Sequence, residues 1–313
     1  MKKALQLSVV VPAFNEENNI HPLYSKISSV LKKMRLSYEI IFIDDGSIDA
    51  TFERICEIGK KDKRVHALKF SRNFQKAAAL SAGFHHAKGD IIVTMDADLQ
   101  EDPAEIPRFI EMINESHDLV VGWRANRTDS FDKVFASKVF NFLVRTCTNI
   151  KLHDSDCNFR AIRREFLQQL TIYGGLYRYI PSIAASRGAR IGELKVRHQP
   201  RQWGSSKYGP SRIFYGFIDL VTITFLLNYL KRPLHLFGSI GILFVILGGI
   251  ISSYLLYVKF ILAQAIGERP LLLFAILLIL VGIQLFSIGL IGEMVTSISK
   301  QTVNDQYVIV ESF

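Results

Sequence analysis

Short apolar runs alternate with longer amphipathic stretches through the first third of the chain. Leu7–Val11, Tyr38–Ile43, Val65–Phe70, Asp90–Met95 and Asp118–Val121 predict strands. Glu17–Met34, Ala50–Lys61, Phe74–Ala87 and Ala104–Asn114 predict the helices between them. Alternation of this kind implies a parallel sheet with right-handed crossovers. A polar cluster follows each strand: Asn15-Glu16, Asp44-Asp45-Gly46-Ser47, Ser71-Arg72-Asn73, Asp96–Gln100 and Gly122-Trp123-Arg124. In such a sheet all five clusters meet at the carboxyl edge, where open α/β folds bind ligands.

The pattern changes near the end. Two uncharged apolar runs, about Leu234–Val258 and Leu271–Ile291, are each long enough to cross a hydrocarbon core. Ser211–Tyr229, just before them, carries Ile213, Phe214, Phe217, Ile218, Leu220, Val221, Phe225 and Leu226 on a mostly apolar helical face. It reads as a buried helix or as one lying in the membrane interface, and its place before a span favours the second. Phe214, Phe217, Ile218 and Val221 are then expected against the bilayer. The tail Gln306–Glu311 has strand composition and needs a partner edge, on its own sheet or on a second copy of the chain. The second choice predicts a homo-oligomer.

Charge sharpens this division. The chain of 313 residues carries a formal charge of +9, but residues 124–232 alone hold nineteen basic and seven acidic side chains. A basic block beside apolar spans points to phosphates and membrane lipids rather than to nucleic acid. Lys231-Arg232 and Lys300 flank the spans, which favours a multi-pass protein of the cell membrane with both termini cytoplasmic. Met1-Lys2-Lys3-Ala4 runs into a strand without the apolar core of a signal peptide. Cys56, Cys147 and Cys157 have no metal or redox spacing and fit a reducing compartment. The catalytic part is expected in the cytoplasm.

Asp96-Ala97-Asp98 ends a buried-looking strand. Two carboxylates one residue apart can hold a hard divalent cation, which prefers oxygen ligands and can neutralise a diphosphate. The pair suggests chemistry on a nucleotide diphosphate.

Several runs, in order, carry a resemblance. Val9–Asn18 resembles the opening of family 2 glycosyltransferases, and Ile43–Thr51 their second motif. Ser71–Leu80, Met95–Pro103 and the basic loop Arg201–Tyr208 resemble the branch that glycosylates polyprenyl phosphates. That branch includes dolichol-phosphate mannose synthases and bacterial undecaprenyl-phosphate glucosyltransferases, and the two spans match the latter type. The resemblance implies a GT-A type, Rossmann-like, mostly parallel α/β sheet followed by an interfacial helix and two transmembrane helices. The implied boundaries are a catalytic domain over 1–206, a juxtamembrane helix over 207–232, a transmembrane hairpin over 233–299 and a tail over 300–313.

It also implies residue roles. Pro12, Phe14 and Glu16 would border the base, and Asp44 or Asp45 would contact base or ribose. Asp96 and Asp98 would hold Mg2+ or Mn2+ on the diphosphate, with Gln100 beside them on the nucleotide sugar. The acceptor, a polyprenyl phosphate, is largely dianionic at neutral pH and already nucleophilic. Asp156 or Asp154 would orient it or take its last proton, and direct attack would invert the anomeric centre. Arg124, Arg160, Arg201 and Lys207 would hold its charge. The acceptor-side run His153–Arg160 lacks the Gly that often precedes Phe-Arg in this branch. Glucose from UDP-glucose is the expected sugar. Mannose and aminosugar transfer, a processive polysaccharide synthase and an inactive membrane scaffold are the alternatives. Gln199-Pro200-Arg201-Gln202-Trp203 only approaches the synthase's Gln-x-x-Arg-Trp.

Overall fold

The computed structural model describes residues 5–125, 144–146, 148, 150, 152–167, 173–200, 211–230, 232–267 and 269–302. The loop with Arg201 and Lys207, Cys147, Lys231 and the tail strand lie outside them, as do the side chains of Phe214, Phe217 and Lys300.

All five predicted strands and four predicted helices are present, with ends shifted by a few residues. The chain runs β1 (Leu7–Ala13), α1 (Glu17–Met34), β2 (Tyr38–Asp44), α2 (Thr51–Lys61), β3 (Val65–Lys69), α3 (Gln75–His86), β4 (Ile91–Thr94), α4 (Ile106–Glu115) and β5 (Leu119–Trp123). In α1 the buried Ile20, Leu23, Ile27 and Leu31 recur at helical spacing. Glu17 in its first turn and Lys32 and Lys33 in its last suit the helix dipole. β1 and β2 are almost wholly buried, as strands covered on both faces must be.

Two strands were not expected, β6 (Arg160–Arg163) and β7 (Ile191–Lys195). The sheet order is β3-β2-β1-β4-β6-β5-β7. β6 lies between β4 and β5 and is antiparallel to both. All other pairings are parallel. The single reversal leaves β5 pointing the same way as β4, so the loops after β1 to β5 still share one edge. It also delivers the segment before β6, residues 152–159, to that edge. β6 is short, with only two apolar residues between arginines, so periodicity does not reveal it.

A 3-10 turn, Gly174–Tyr179, leads into α5 (Ile180–Ser186), and after β7 comes α6 (Ser211–Asn228). The chain divides into two compact units, and the division falls within α6, between Ile223 and Thr224. In the first unit α6 buries Gly216, Leu220 and Ile223 and exposes Ile218 and Val221.

The second unit contains α7 (Pro233–Phe260) and α8 (Pro270–Thr302), both long and apolar enough to cross a membrane. Lipid gives apolar side chains no reason to leave it, so such helices associate through close packing at small residues. The glycines of this pair serve that purpose. A Cβ on Gly241 would lie 2.5 Å from the Gly282 carbonyl oxygen, and one on Gly282 would lie 2.6 Å from that of Gly241. Gly248 meets the Ala275 carbonyl in the same way, at 2.8 Å.

Gly241→Leu should therefore force the helices apart, at a cost of about 1–3 kcal/mol. Gly249→Leu is the control, because a Cβ there meets nothing within 4 Å. Thermal unfolding in detergent should fall for the first and stay near wild type for the second; equal melting temperatures would refute the packing account. A pH effect is expected in the first unit. Asp62 accepts from Arg64 Nε and Nη2 at 2.8 Å and from the Tyr24 hydroxyl at 2.9 Å, joining α1 to the end of α2. Arg64 foremost holds the Asp62 carboxyl down at about 2, against an ordinary value of 3.8. Its contribution is complete above 3.8 and is lost as pH falls towards 2. The melting difference between wild type and Asp62→Asn should shrink across that window, and a difference that does not change would count against the pair.

Candidate active site

The loops after β1, β2 and β3 form one wall. Asn15, at φ 53°, donates its N–H to Ser47 Oγ (2.8 Å) and accepts the Ile48 N–H on Oδ1 (3.0 Å). Gly46 sits at φ +74°, and a Cβ there would lie 2.3 Å from the Arg72 carbonyl carbon. Two loop backbones thus touch where only glycine fits. Asp45 Oδ1 accepts the Phe74 N–H at 2.7 Å, and burial pushes its carboxyl up despite that bond. Asp44 is fully buried; Oδ1 accepts the Ser47 N–H at 3.0 Å, and Oδ2 has no hydrogen-bond partner among the described residues. Glu16 is buried and accepts from the Asn19 amide, while Pro12 and Phe14 are half-buried beside it at the end of β1.

The end of β4 forms the floor. Lys76, in the first turn of α3, places Nζ 2.6 Å from Asp96 Oδ1 and 2.8 Å from Oδ2. The Asn158 amide donates to Asp96 Oδ1 at 2.8 Å, and Glu101 accepts the Asp96 N–H at 2.9 Å. Burial opposes the ionised form of Asp96, yet Lys76 and Asn158 hold its carboxyl below the usual range. Burial first, and the Asp96 charge second, push Glu101 well above it. Asp98 is buried and accepts the Gln100 N–H at 3.2 Å across Leu99, which turns the chain at φ 60°. Gln100 in turn donates to the Gln199 carbonyl at 3.3 Å.

The described residues hold no group of three or more metal-ligating side chains. They fit a divalent cation nonetheless, as a partial cage. Lys76 already sets a positive group against both oxygens of Asp96, and the Asp96–Asp98 donor set is oxygen alone. Mg2+ in particular is commonly held by one or two carboxylates with substrate phosphates completing the shell. Asp96 and Asp98 would hold it, and it would stabilise the charge of the departing diphosphate.

The opposite wall comes from residues 152–160 and β5. Arg124 clamps Asp154 through Nε at 2.7 Å and Nη2 at 2.9 Å. His153 bonds to Glu193 (2.6 Å) and stacks on Trp123, consistent with a structural role. The two candidate acids are thereby distinguished: the Asp154 side chain is 3% exposed and fully engaged, whereas that of Asp156 is 22% exposed. Asp156 lies 3.3 Å from Nε of the buried Arg178.

Arg160 corrects an expectation. It is 2% exposed, and its guanidinium donates to the carbonyls of Cys157 (2.6 Å), Tyr177 (2.7 Å) and Ser155 (3.1 Å). It staples two segments together and is not placed to receive an acceptor phosphate. Sequence reasoning also passed over Lys76, Asn158 and Arg178 as site residues. The first two stand inside motif runs already singled out, so their chemistry was visible but not their direction. Arg178 had no signal beyond its charge.

The Glycosyl transferase family 2 profile matches residues 8–171. Dodecaprenyl-phosphate galacturonate synthase from Rhizobium johnstonii is 38% identical, covering 94% of this chain and 88% of that protein. Undecaprenyl-phosphate 4-deoxy-4-formamido-L-arabinose transferase from Aeromonas hydrophila is 36% identical, over 92% and 88%. Among solved structures, glucosyl-3-phosphoglycerate synthase from Mycobacterium tuberculosis, in complex with Mn2+, UDP-glucose and phosphoglyceric acid, aligns with a TM-score of 0.55 at 19% identity. That alignment covers 70% of this chain and 80% of the other and supports the fold. With a sheet edge built around paired carboxylates, a profile match over half its length and close relatives along nearly all of it, the chain belongs to glycosyltransferase family 2.

Proposed function

We propose that the protein transfers a sugar from a nucleotide diphosphate sugar to a polyprenyl phosphate at the cytoplasmic face of the cell membrane, with inversion. One contact carries this reading: the Asn158 amide on Asp96 joins the acceptor-side segment directly to the carboxylate of the donor floor. Donor diphosphate and acceptor phosphate would therefore meet over a single pair of residues. The names of both curated relatives point to polyprenyl phosphates as acceptors. The two apolar helices suit an enzyme whose acceptor lives in the bilayer.

On the donor side, Pro12, Phe14, Glu16, Asp44 and Asp45 border the nucleoside, and the open oxygen of Asp44 supplies an acceptor for a base or ribose donor. Asp96 and Asp98 would hold the cation that neutralises the diphosphate, and Lys76 adds a positive charge there. On the acceptor side, Asp156 orients the lipid phosphate or takes its last proton. Arg124, Arg201 and Lys207 draw that phosphate in, Arg124 while remaining clamped to Asp154. Such a phosphate needs little base catalysis, so positioning and charge neutralisation lower most of the barrier. α6 lies against headgroups through Ile218 and Val221, which are 47% and 53% exposed. UDP-glucose is the donor expected from sequence, and the relatives' names add a galacturonate and a formamido-arabinose donor to the candidates.

The test is product analysis with undecaprenyl phosphate in vesicles and a panel of these three nucleotide sugars. A lipid-linked monosaccharide is expected from one donor, whereas polymer, or no turnover with any donor, would overturn the reading. Asp96→Asn and Asp98→Asn should each cut turnover at least about 100-fold. EDTA should do the same to the unmodified protein, and full activity in excess chelator would remove the metal from the scheme.

A further inference from the structure

Arg178 is a buried charge that the donor chemistry leaves unused. Its guanidinium faces two acids on different segments: Nε lies 3.3 Å from Asp156 Oδ1, and Nη1 lies 3.6 Å from Asp219 Oδ2 on α6. Both separations exceed the roughly 2.7–2.9 Å of a charge-assisted hydrogen bond. One cation is drawn between two anions and closes fully on neither.

The 3-10 turn that carries Arg178 is itself seated on α6. The Tyr179 hydroxyl donates to the Gly216 carbonyl at 3.2 Å. A Cβ on Gly175 would lie 1.8 Å from Asp219 Oδ2, so the backbone of the turn rests directly on that carboxylate. On its other side, Tyr177 accepts from Arg160 through its carbonyl, and Lys76, the partner of Asp96, lies over its ring at 5.6 Å. The turn therefore stands between the reacting edge and the helix whose outer face exposes Ile218 and Val221.

We propose that Arg178 is a positioning residue for the acceptor-side carboxylate and that Asp219 sets its position, so that the seating of α6 at the membrane surface is transmitted to Asp156. Asp219 competes with Asp156 for the guanidinium and keeps Arg178 from closing on that acid. Without the Asp219 charge, Arg178 closes on Asp156 and withdraws it. This rests on the reading of Asp156 as the acceptor-side acid.

The experiment uses the full chain in vesicles of phosphatidylethanolamine and phosphatidylglycerol containing undecaprenyl phosphate. Asp219→Asn keeps shape and removes charge. It should lower kcat about 10-fold, the scale of a coupled ion-pair network, with donor Kd and the KM for lipid phosphate within about twofold. Asp219→Glu should recover most of the rate. In an Asp156→Asn background, Asp219→Asn should have no further effect. An unchanged kcat in Asp219→Asn, or additive losses in the double variant, would overturn the relay. So would lower thermal stability and donor affinity at constant kcat, which is what a purely structural acid would show. If Asp156→Asn itself turns over at the wild-type rate, the acceptor-side reading of Asp156 falls and the relay with it. If Asp156→Asn is slow and Asp219→Asn is not, only the relay falls.

Discussion

The bonds of Arg160 to three carbonyls hold the wall formed by residues 152–160 in place. A buried guanidinium without a carboxylate partner costs several kcal/mol in lost hydration, and it persists only where its donors are satisfied. Here they are satisfied by Ser155, Cys157 and Tyr177. Two of these carbonyls flank Asp156, and the third precedes Arg178. The residue that opens β6 thus fixes both the acid and its counter-charge. A lysine could not replace it, because one ammonium cannot reach three carbonyls in the directions of a planar fork.

The same economy of charge runs across the sheet edge. Asp96 has Lys76, Asp154 has Arg124, and Asp156 and Asp219 share Arg178. Five parallel-oriented strands deliver their polar ends to one place, and so many carboxylates together would repel one another without interleaved cations. Glu101, with burial and Asp96 against it, is pushed towards its neutral form. The edge is built to hold anions that are already counterbalanced, which suits a reaction between two phosphates.

The side of the site built on β1 to β4 was legible in sequence because it obeys periodicity. β1 to β5 and α1 to α4 alternate, and the motifs fall where strands end, so Asp44, Asp45, Asp96 and Asp98 could be placed together before any coordinates. The wall formed by residues 152–160 was less so. β6 has two central apolar residues between arginines and pairs with strands far away in sequence, so no local pattern marks it. Arg160 was read by its charge, and charge is usually a sign of solvent. Its burial depends on carbonyls of Ser155, Cys157 and Tyr177 that only the folded chain supplies. Asp154 and Asp156 were equivalent in the sequence; Arg124 and Arg178 separate them. Lys76 and Asn158 were visible as motif members, but the direction of their side chains follows from helix phase and from the reversal at β6.

That reversal has a consequence for how the enzyme can change. β5 and β6 are hydrogen-bonded neighbours, although residues 124–159 separate them in sequence. The sheet closes behind the excursion as behind a hairpin loop of any length. Loop-closure entropy grows only logarithmically with length. The intervening chain can therefore be lengthened, shortened or exchanged while β4 and its paired carboxylates keep their frame, provided the new segment still returns through Asn158 and Arg160. The segment between β5 and β6 can thus vary in length while the carboxylates at the end of β4 stay where they are.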